Sequence, residues 1–491
     1  MKESESPFWR REEVFALLLT VLYAWLVLGT IRVHEPWRDE AQTWLINRDA
    51  SLVEMGSQLN YQGHPGLWYL MIRPLARLGL PYSTMGLLHG VIAIASAFLV
   101  LRFAPFPRLT RGLLVFSFWM VWMYAIESRI YAAGLLLLFL IAWRYPERHA
   151  RPWLHGALIA LMFSSNLFMV PLAGALSAAF AWETWRGRRG DAGHVLALAL
   201  MAAGALALAW QFDWFRAPAD NLHAGSLAWA SQPAEILTGI LTAFFPGGQA
   251  FRAILTPVAL AIVLLLFFAL LTRPMGLWLA AVHLVGMCLL IWRTTAASRH
   301  AGLFILGWVF VLWVAESYEE ARRWRIPRLP DFKRRSKLFL WALNAGLAFS
   351  LWQAWKMHAM DRTYDFSGTR RMAEYIIREG LAGYPIAVHR YGNLSSIAPY
   401  FPGKKFWYIG IGEWATYVRQ DTRHVKAHAM THEEALQMLS RQDIAQTPLL
   451  LLTDLPFRFP PPNIRPVFRV YETVRGSDEI CFLYLWEPES R

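Results

Sequence analysis

The run VFALLLTVLYAWLVLGTIRV, residues 14–33, passes directly into HEPWRDEAQTWLINRD, residues 34–49. The first stretch is apolar across a full bilayer, because a span takes about 20 such residues. Arg10 and Arg11 precede it and no small-residue cleavage site follows, so it reads as an uncleaved anchor. The second stretch turns polar at once and carries two adjacent carboxylates, Asp39 and Glu40, close to the expected membrane surface. An anchor that delivers a charged loop to one membrane face opens a polytopic membrane protein.

Composition agrees. Of 491 residues, 56% are hydrophobic and 17% charged. An ordinary soluble domain has about 45–50% apolar and roughly 25% charged residues, so a disordered or collagen-like chain is excluded and the balance weighs against a wholly soluble enzyme. Further apolar stretches at 82–103, 110–126, 129–144, 153–167, 168–185, 194–212, 253–272, 276–293, 299–316 and 338–357 bring the total to about eleven spans. Those between 110 and 185 are short for a full crossing. The net charge of +13 can point to nucleic acid, but in so apolar a chain it reflects Lys and Arg gathered in cytoplasmic loops, and no nucleic-acid partner is expected. The basic clusters are Arg108/Arg111, Arg144/Arg148/Arg151, Arg186/Arg188/Arg189, Arg273 and the run 319–337. Placing them inside with the N-terminus puts segments 34–81 and 213–252 and the tail outside. Cys288, in an apolar run, and Cys481 make no disulfide framework.

The chain therefore divides into a helical membrane region, 1–357, and an extracytoplasmic α/β domain, 358–491. In the tail, Thr369–Glu379 and Thr431–Arg441 read as helices, the second with a Thr431/Glu434 capping box. PIAVH (385–389), KFWYI (405–409), LLLLT (449–453) and CFLYLW (481–486) read as strands, and 456–466 as a Pro-rich loop. No nucleotide-binding glycine fingerprint and no metal-spaced Cys/His set is found there.

In the loop 34–81 the chemistry concentrates. Asp39 and Glu40 compete for protons, so one can act as a base while the other positions a partner or a cation. Asp39 can equally cap a helix 40–48 with Gln42 at its third position; a cap and a base are compatible roles. YQGHP (61–65) follows, with Pro65 suited to open a second interfacial helix, 66–78, whose Trp68 and Tyr69 are expected at headgroup level. His64 at its entrance is either a hydrogen-bonded structural residue or part of a site.

An Asp-Glu pair after the first span, then a His-Pro ahead of an amphipathic helix, resembles the membrane glycosyltransferases of the GT-C superfamily, and within it the protein O-mannosyltransferase and aminoarabinose-transferase group. Those relatives read His-Pro-Pro-Leu where this chain has His64-Pro65-Gly66-Leu67. The motifs cover 14–103; from there to about 316 the likeness is architectural. The resemblance implies a multi-pass protein of the bacterial inner membrane with a periplasmic domain. It implies a sugar donor on a polyisoprenyl phosphate and transfer on the outer face to a lipid, glycan or protein acceptor. It makes Asp39 the base and Glu40 the second member of the pair.

Ionisable residues at membrane depth are costly and mark function by default. Glu127-Ser128-Arg129-Ile130-Tyr131 interrupts two apolar runs. It is either a turn closed by Glu127 and Arg129, or a second acidic contribution with Arg129 on donor phosphate, where a guanidinium matches the oxygens in a two-pronged geometry. Tyr131 belongs to the same substrate-binding group. Ser298-Arg299-His300 is either a snorkelling helix end or the fixed cation that a leaving phosphate needs. Arg216 and Arg252 are weaker candidates, His223 and Asp220 have no spacing that means metal, Asn166 is either a sugar contact or a structural turn residue, and Trp37 or Trp44 could stack on a sugar. Asp39, Glu40 and Glu127 could share a divalent cation, but no metal is assigned. The expected reaction is a single displacement with inversion. A transporter or lipid flippase with a soluble cap is the alternative class, although such proteins place ionisable groups near the midplane in repeated halves, and no repeat is found.

Overall fold

A computed structural model describes residues 11–214, 233–294, 297–319, 329–390, 395–421, 423, 427, 430–471, 473–474 and 479–488. Arg216, Asp220, His223 and the arginines between 320 and 328 lie outside these, as does the side chain of Ser298.

The membrane region begins with α1 (Glu12–Ile31), then three short helices, α2 (Arg38–Asp49), α3 (Leu52–Gln62) and α4 (Leu67–Arg77). It continues with α5 (Ser83–Phe103), α6 (Arg108–Val115), α7 (Tyr131–Arg144), α8 (Pro152–Phe163), α9 (Val170–Arg186) and α10 (Ala192–Trp214). It closes with α11 (Pro233–Phe244), α12 (Arg252–Leu270), α13 (Pro274–Thr294), α14 (Ala297–Ala315) and α15 (Phe332–Thr363). Among the described residues, six helical stretches are long and apolar enough to cross a bilayer, and α8, α11 and α14 are shorter apolar helices. The chain is a multi-pass helical membrane protein.

Four expectations are corrected. The count of about eleven spans is not reproduced by helices of full length: 110–126 breaks after α6 into a π-helical turn, Phe118–Met123. Freed backbone is tolerated at such depth only inside protein, and here the Phe118 N–H donates to Ser350 Oγ of α15 at 3.0 Å. The loop 34–81 holds three helices rather than two, because Ser51 and Glu54 form a capping box that starts α3. Residues 233–244, placed in an outer loop, form the apolar helix α11. Trp68 and Tyr69 are fully buried in protein rather than exposed for contact with lipid headgroups. The basic face of α4 instead serves α2: Arg73 and Arg77 donate to the Ala50 carbonyl at its C-terminus.

Small residues set the closest helix packing. A Cβ on Gly156 of α8 would sit 2.6 Å from the Ala197 backbone of α10, so no larger residue fits without separating the pair. Arg108, Arg111 and Arg148 share one end of the bundle. Arg108 and Arg111 bind Glu12 at 2.9 and 2.7 Å, Phe103 stacks on Trp143, and Arg148 binds Glu183 at 2.8 Å. The helices α2–α4 sit at the opposite end.

Helix α15 runs on to Thr363, past the boundary expected at 357. Beyond it lie α16 (Thr369–Arg378), α17 (His432–Ser440) and strands β1 (Ile386–Val388), β2 (Phe406–Tyr408), β3 (Glu413–Ala415), β4 (Leu449–Thr453), β5 (Ile464–Val470) and β6 (Cys481–Trp486). The sheet order is β3-β2-β1-β4-β6-β5; β1 runs parallel to β2 and β4, and the other pairs are antiparallel. The continuous apolar run of β4 suits its buried central place. Residues 464–466, read as loop, open edge strand β5; Pro466 is tolerated there because the strand is at an edge and the register shifts between Pro466 and Phe468. The Thr431/Glu434 capping box forms as expected.

The two regions are clasped by buried polar contacts. Glu35 accepts from Thr369 Oγ1 at 3.2 Å and from the Arg370 N–H, while Arg370 Nη2 donates to the His34 carbonyl at 2.9 Å. Gln42 and Gln58, on α2 and α3, each pair through their amides with the backbone of Val418 and Gln420. Those glutamines act as short stand-in strands that hold the segment 418–420 against the membrane region.

Candidate active site

The opening of α2 aims one carboxylate outward and folds the other in. The helix starts at Arg38, and the cap is supplied by Glu40, whose Oε2 accepts from the Trp37 N–H at 3.1 Å. Its other oxygen accepts from the Ser128 N–H at 2.5 Å. His34 Nε2 lies 3.4 Å from Glu40, and His34 Nδ1 lies 3.1 Å from Asp361, which also accepts from Trp122 Nε1 at 2.8 Å. Burial favours a neutral imidazole, but Asp361 and Glu40 outweigh it and push His34 up to about 10. Glu40, expected as part of the catalytic pair, is fully buried, with both carboxylate oxygens engaged by backbone N–H groups. It ties the start of α2 to the loop carrying Arg129. Glu40→Ala would strand two buried N–H groups and leave the His34 cation with one carboxylate fewer. Breaking such a pair costs about 3–5 kcal/mol, so the melting temperature in detergent should fall sharply; Glu40→Gln, which keeps acceptor capacity, should fall less.

Asp39 takes the other direction, half-buried at the mouth of the bundle. Its Oδ2 accepts from Arg299 Nη1 at 2.9 Å and from Arg129 Nη1, with Arg38 Nε 4.0 Å from Oδ1. Burial by itself raises a carboxyl pKa, but the guanidiniums of Arg129, Arg299 and Arg38 prevail and hold Asp39 well below the usual carboxylate range. All three guanidiniums lie within 6 Å of the buried Trp37 ring, Arg299 closest at 4.2 Å. Trp37, weighed as a sugar-stacking residue, is the cation–π floor beneath them. Trp44 packs on Tyr82 in the core.

Arg129 Nη2 lies 3.3 Å from His64 Nε2. A guanidinium can only donate, so Nε2 is the bare nitrogen and Nδ1 carries the proton, facing Gln62 Oε1 and the Tyr69 hydroxyl at 3.1 Å each. Tyr69 donates to Gln62 Oε1 at 2.5 Å. A cavity of about 180 Å³ opens between these groups and the tail domain. Asp39, Arg129, His64 and Gln62 line it from one side; Ser395, Val418 and Gln420 line it from the other.

The remaining expected residues lie behind this front. Glu127 is buried and does not line the cavity. Tyr131 and His300 meet each other, with hydroxyl to Nδ1 3.3 Å, and His300 stacks on Phe168 at 3.8 Å. The Tyr124 hydroxyl donates to the Arg299 carbonyl at 2.8 Å, fixing the start of α14. Asn166 caps a turn through the Phe168 N–H, and Arg252 opens α12 away from the cavity. Asp39, Glu40 and Glu127 do not gather into a cation site: Glu40 is turned inward, and among the described residues no group of three or more potential ligands is found. Arg38 and Gln42 sit in the loop that the sequence singles out, one residue before and three residues after Asp39. Nothing in the sequence singles out Ser395, Val418 or Gln420.

Fold and site together define a multi-pass membrane protein with a polar, arginine-rich pocket between its helical bundle and an appended mixed-sheet domain. No family model and no curated protein matches the chain. Among solved structures, it is similar to ArnT from Cupriavidus metallidurans, crystallised with undecaprenyl phosphate, across 96% of this chain and 97% of that one, with 12% identity and a TM-score of 0.43.

Proposed function

We propose that the protein is a membrane glycosyltransferase that moves a sugar from a polyisoprenyl-phosphate donor to an acceptor hydroxyl or amine at the outer face, with inversion. The observation that carries this reading is one carboxylate, Asp39, held by two arginines from distant elements at the edge of a polar cavity. A carboxylate clamped in this way is a poor base. A donor phosphate competes for the same guanidiniums, because its oxygens match their paired N–H groups. Once Arg129 and Arg299 turn to the phosphate, Asp39 loses the cations that depress its pKa and becomes able to accept a proton.

The steps then balance. The acceptor O–H or N–H proton passes to Asp39, and the acceptor atom bonds to the anomeric carbon. The bond from that carbon to the phosphate oxygen breaks, and its electron pair leaves on the phosphate, where Arg299 and Arg129 hold the charge. His64 and Gln62, fixed by Tyr69, face the same cavity and suit a polar sugar ring. The chain's own groups account for each of these transfers.

The test is reconstitution of the full chain in liposomes with an outward-facing polyisoprenyl-phosphate sugar and a water-soluble acceptor. The expected result is a glycosidic product of opposite anomeric configuration to the donor. Movement of the intact lipid between leaflets with no product would instead establish the flippase class.

A further inference from the structure

At the end of the bundle opposite Asp39, three cavities meet around one tryptophan. Trp182 of α9 borders a polar cavity of about 490 Å³, a basic one of about 760 Å³ and an apolar slot of about 360 Å³. Arg186 and Arg189 line both of the first two. The slot runs along the bundle between α9 and α13, walled by Ala178, Ala179, Trp278 and Met275. Met275, Pro274 and Trp182 belong to the polar cavity as well, so slot and polar cavity adjoin.

The charges are unevenly used. Glu183 is engaged by Arg148 at 2.8 Å, His149 at 2.9 Å and the Tyr318 hydroxyl at 2.7 Å. Among the described residues neither Arg186 nor Arg189 forms an ion pair. Arg186 lies over the Trp182 ring at 4.8 Å. The polar cavity counts three arginines, Arg148, Arg186 and Arg189, against Glu183 and Glu319, and the basic one adds Arg188 with no acid. A cationic head site opening into an apolar groove has the shape and chemistry of a lipid with an anionic phosphate. We infer that this end of the protein holds such a lipid, its phosphate on Arg186 and Arg189 and its chain in the slot between α9 and α13. Basic pockets between helices bind anionic head groups for the same electrostatic reason.

The full chain, purified in neutral detergent, is examined by native mass spectrometry with dioleoylphosphatidylglycerol, dioleoylphosphatidylcholine, undecaprenyl phosphate or inorganic phosphate added at equal concentration. An anionic lipid should be retained about thirty-fold better than phosphatidylcholine, from two guanidiniums at roughly 1 kcal/mol each. Arg186→Gln with Arg189→Gln, both exposed, should erase the preference for phosphatidylglycerol and lose one bound copy of undecaprenyl phosphate, sparing the copy that the proposed function places on Arg129 and Arg299. Ala178→Trp fills the slot and should weaken retention of every lipid while leaving the charge intact. Phosphatidylglycerol retained through the two arginines identifies bulk phospholipid as the occupant; undecaprenyl phosphate retained through them, with phosphatidylglycerol rejected, identifies a polyisoprenyl phosphate. Equal retention of neutral and anionic lipids, or a preference unchanged in the double variant, overturns the inference. So does inorganic phosphate binding to these arginines with no lipid preference. Sugar transfer is not the readout, so this result stands or falls apart from the proposed reaction.

Discussion

Asp39→Asn should lower kcat by about 10³-fold, in the middle of the 10²–10⁴ range that a positioned general base contributes. Asparagine keeps the volume and one acceptor oxygen for Arg299 and Arg129, so the pocket retains its shape while the proton acceptor is gone. Arg129 is buried, and loss of its counter-charge has a structural cost. Melting temperature and expression are therefore measured beside turnover, and the mechanistic claim rests on a folded variant. A folded Asp39→Asn protein with unaltered kcat would remove Asp39 from the chemistry.

The pH profiles carry the sharper form of that prediction. In the free protein the three arginines depress the Asp39 pKa, so the carboxylate stays ionised far into acid. The acidic limb of kcat/KM, which reports free enzyme, should lie well below the ordinary carboxylate range. In the donor complex the guanidiniums face phosphate, burial is no longer outweighed, and the pKa rises. The acidic limb of kcat should accordingly sit at higher pH than that of kcat/KM. Coincident limbs would mean that the arginines never leave Asp39 during turnover.

Arg299→Gln should lower kcat by about 10²–10³-fold, the usual loss when one fixed group stabilising transition-state charge is removed. The residue reaches Asp39 from the first turn of α14 and rests on Trp37. Arg299→Lys keeps the charge but loses the planar fork, so it should recover only part of the rate and raise KM for the donor. Loss of one of the cations beside Asp39 should also move the acidic limb of kcat/KM upward. A snorkelling arginine with no part in the reaction would leave kcat, KM and that limb where they were.

Much of the architecture is legible in local patterns. The apolar length of 14–33, the Leu449–Thr453 run and the Thr431/Glu434 box each depend on a few neighbouring residues, and α1, β4 and α17 form where those patterns lie. Arg129 and Arg299 stand out as charges among apolar runs and Asp39 as one of two adjacent carboxylates in a loop, and the structure brings the three together. Which of Asp39 and Glu40 faces the cavity was not legible. Two adjacent carboxylates look alike in sequence, and which one folds inward depends on the Ser128 N–H, His34 and Asp361, the last lying 321 positions beyond Glu40.

The same reasoning applies to the pocket wall. Ser395, Val418 and Gln420 have no special character of their own, and Val418 and Gln420 line the cavity because Gln42 and Gln58 grip their backbone. The break in 110–126 likewise follows from a hydroxyl on α15 that accepts a freed N–H. Hydrophobic length and periodicity act within a segment, so a linear reading recovers the membrane class, the main helices and the central strand of the tail. Hydrogen-bond satisfaction and charge pairing act between segments hundreds of residues apart, so packing alone selects the carboxylate that meets the cavity and the residues that enclose it.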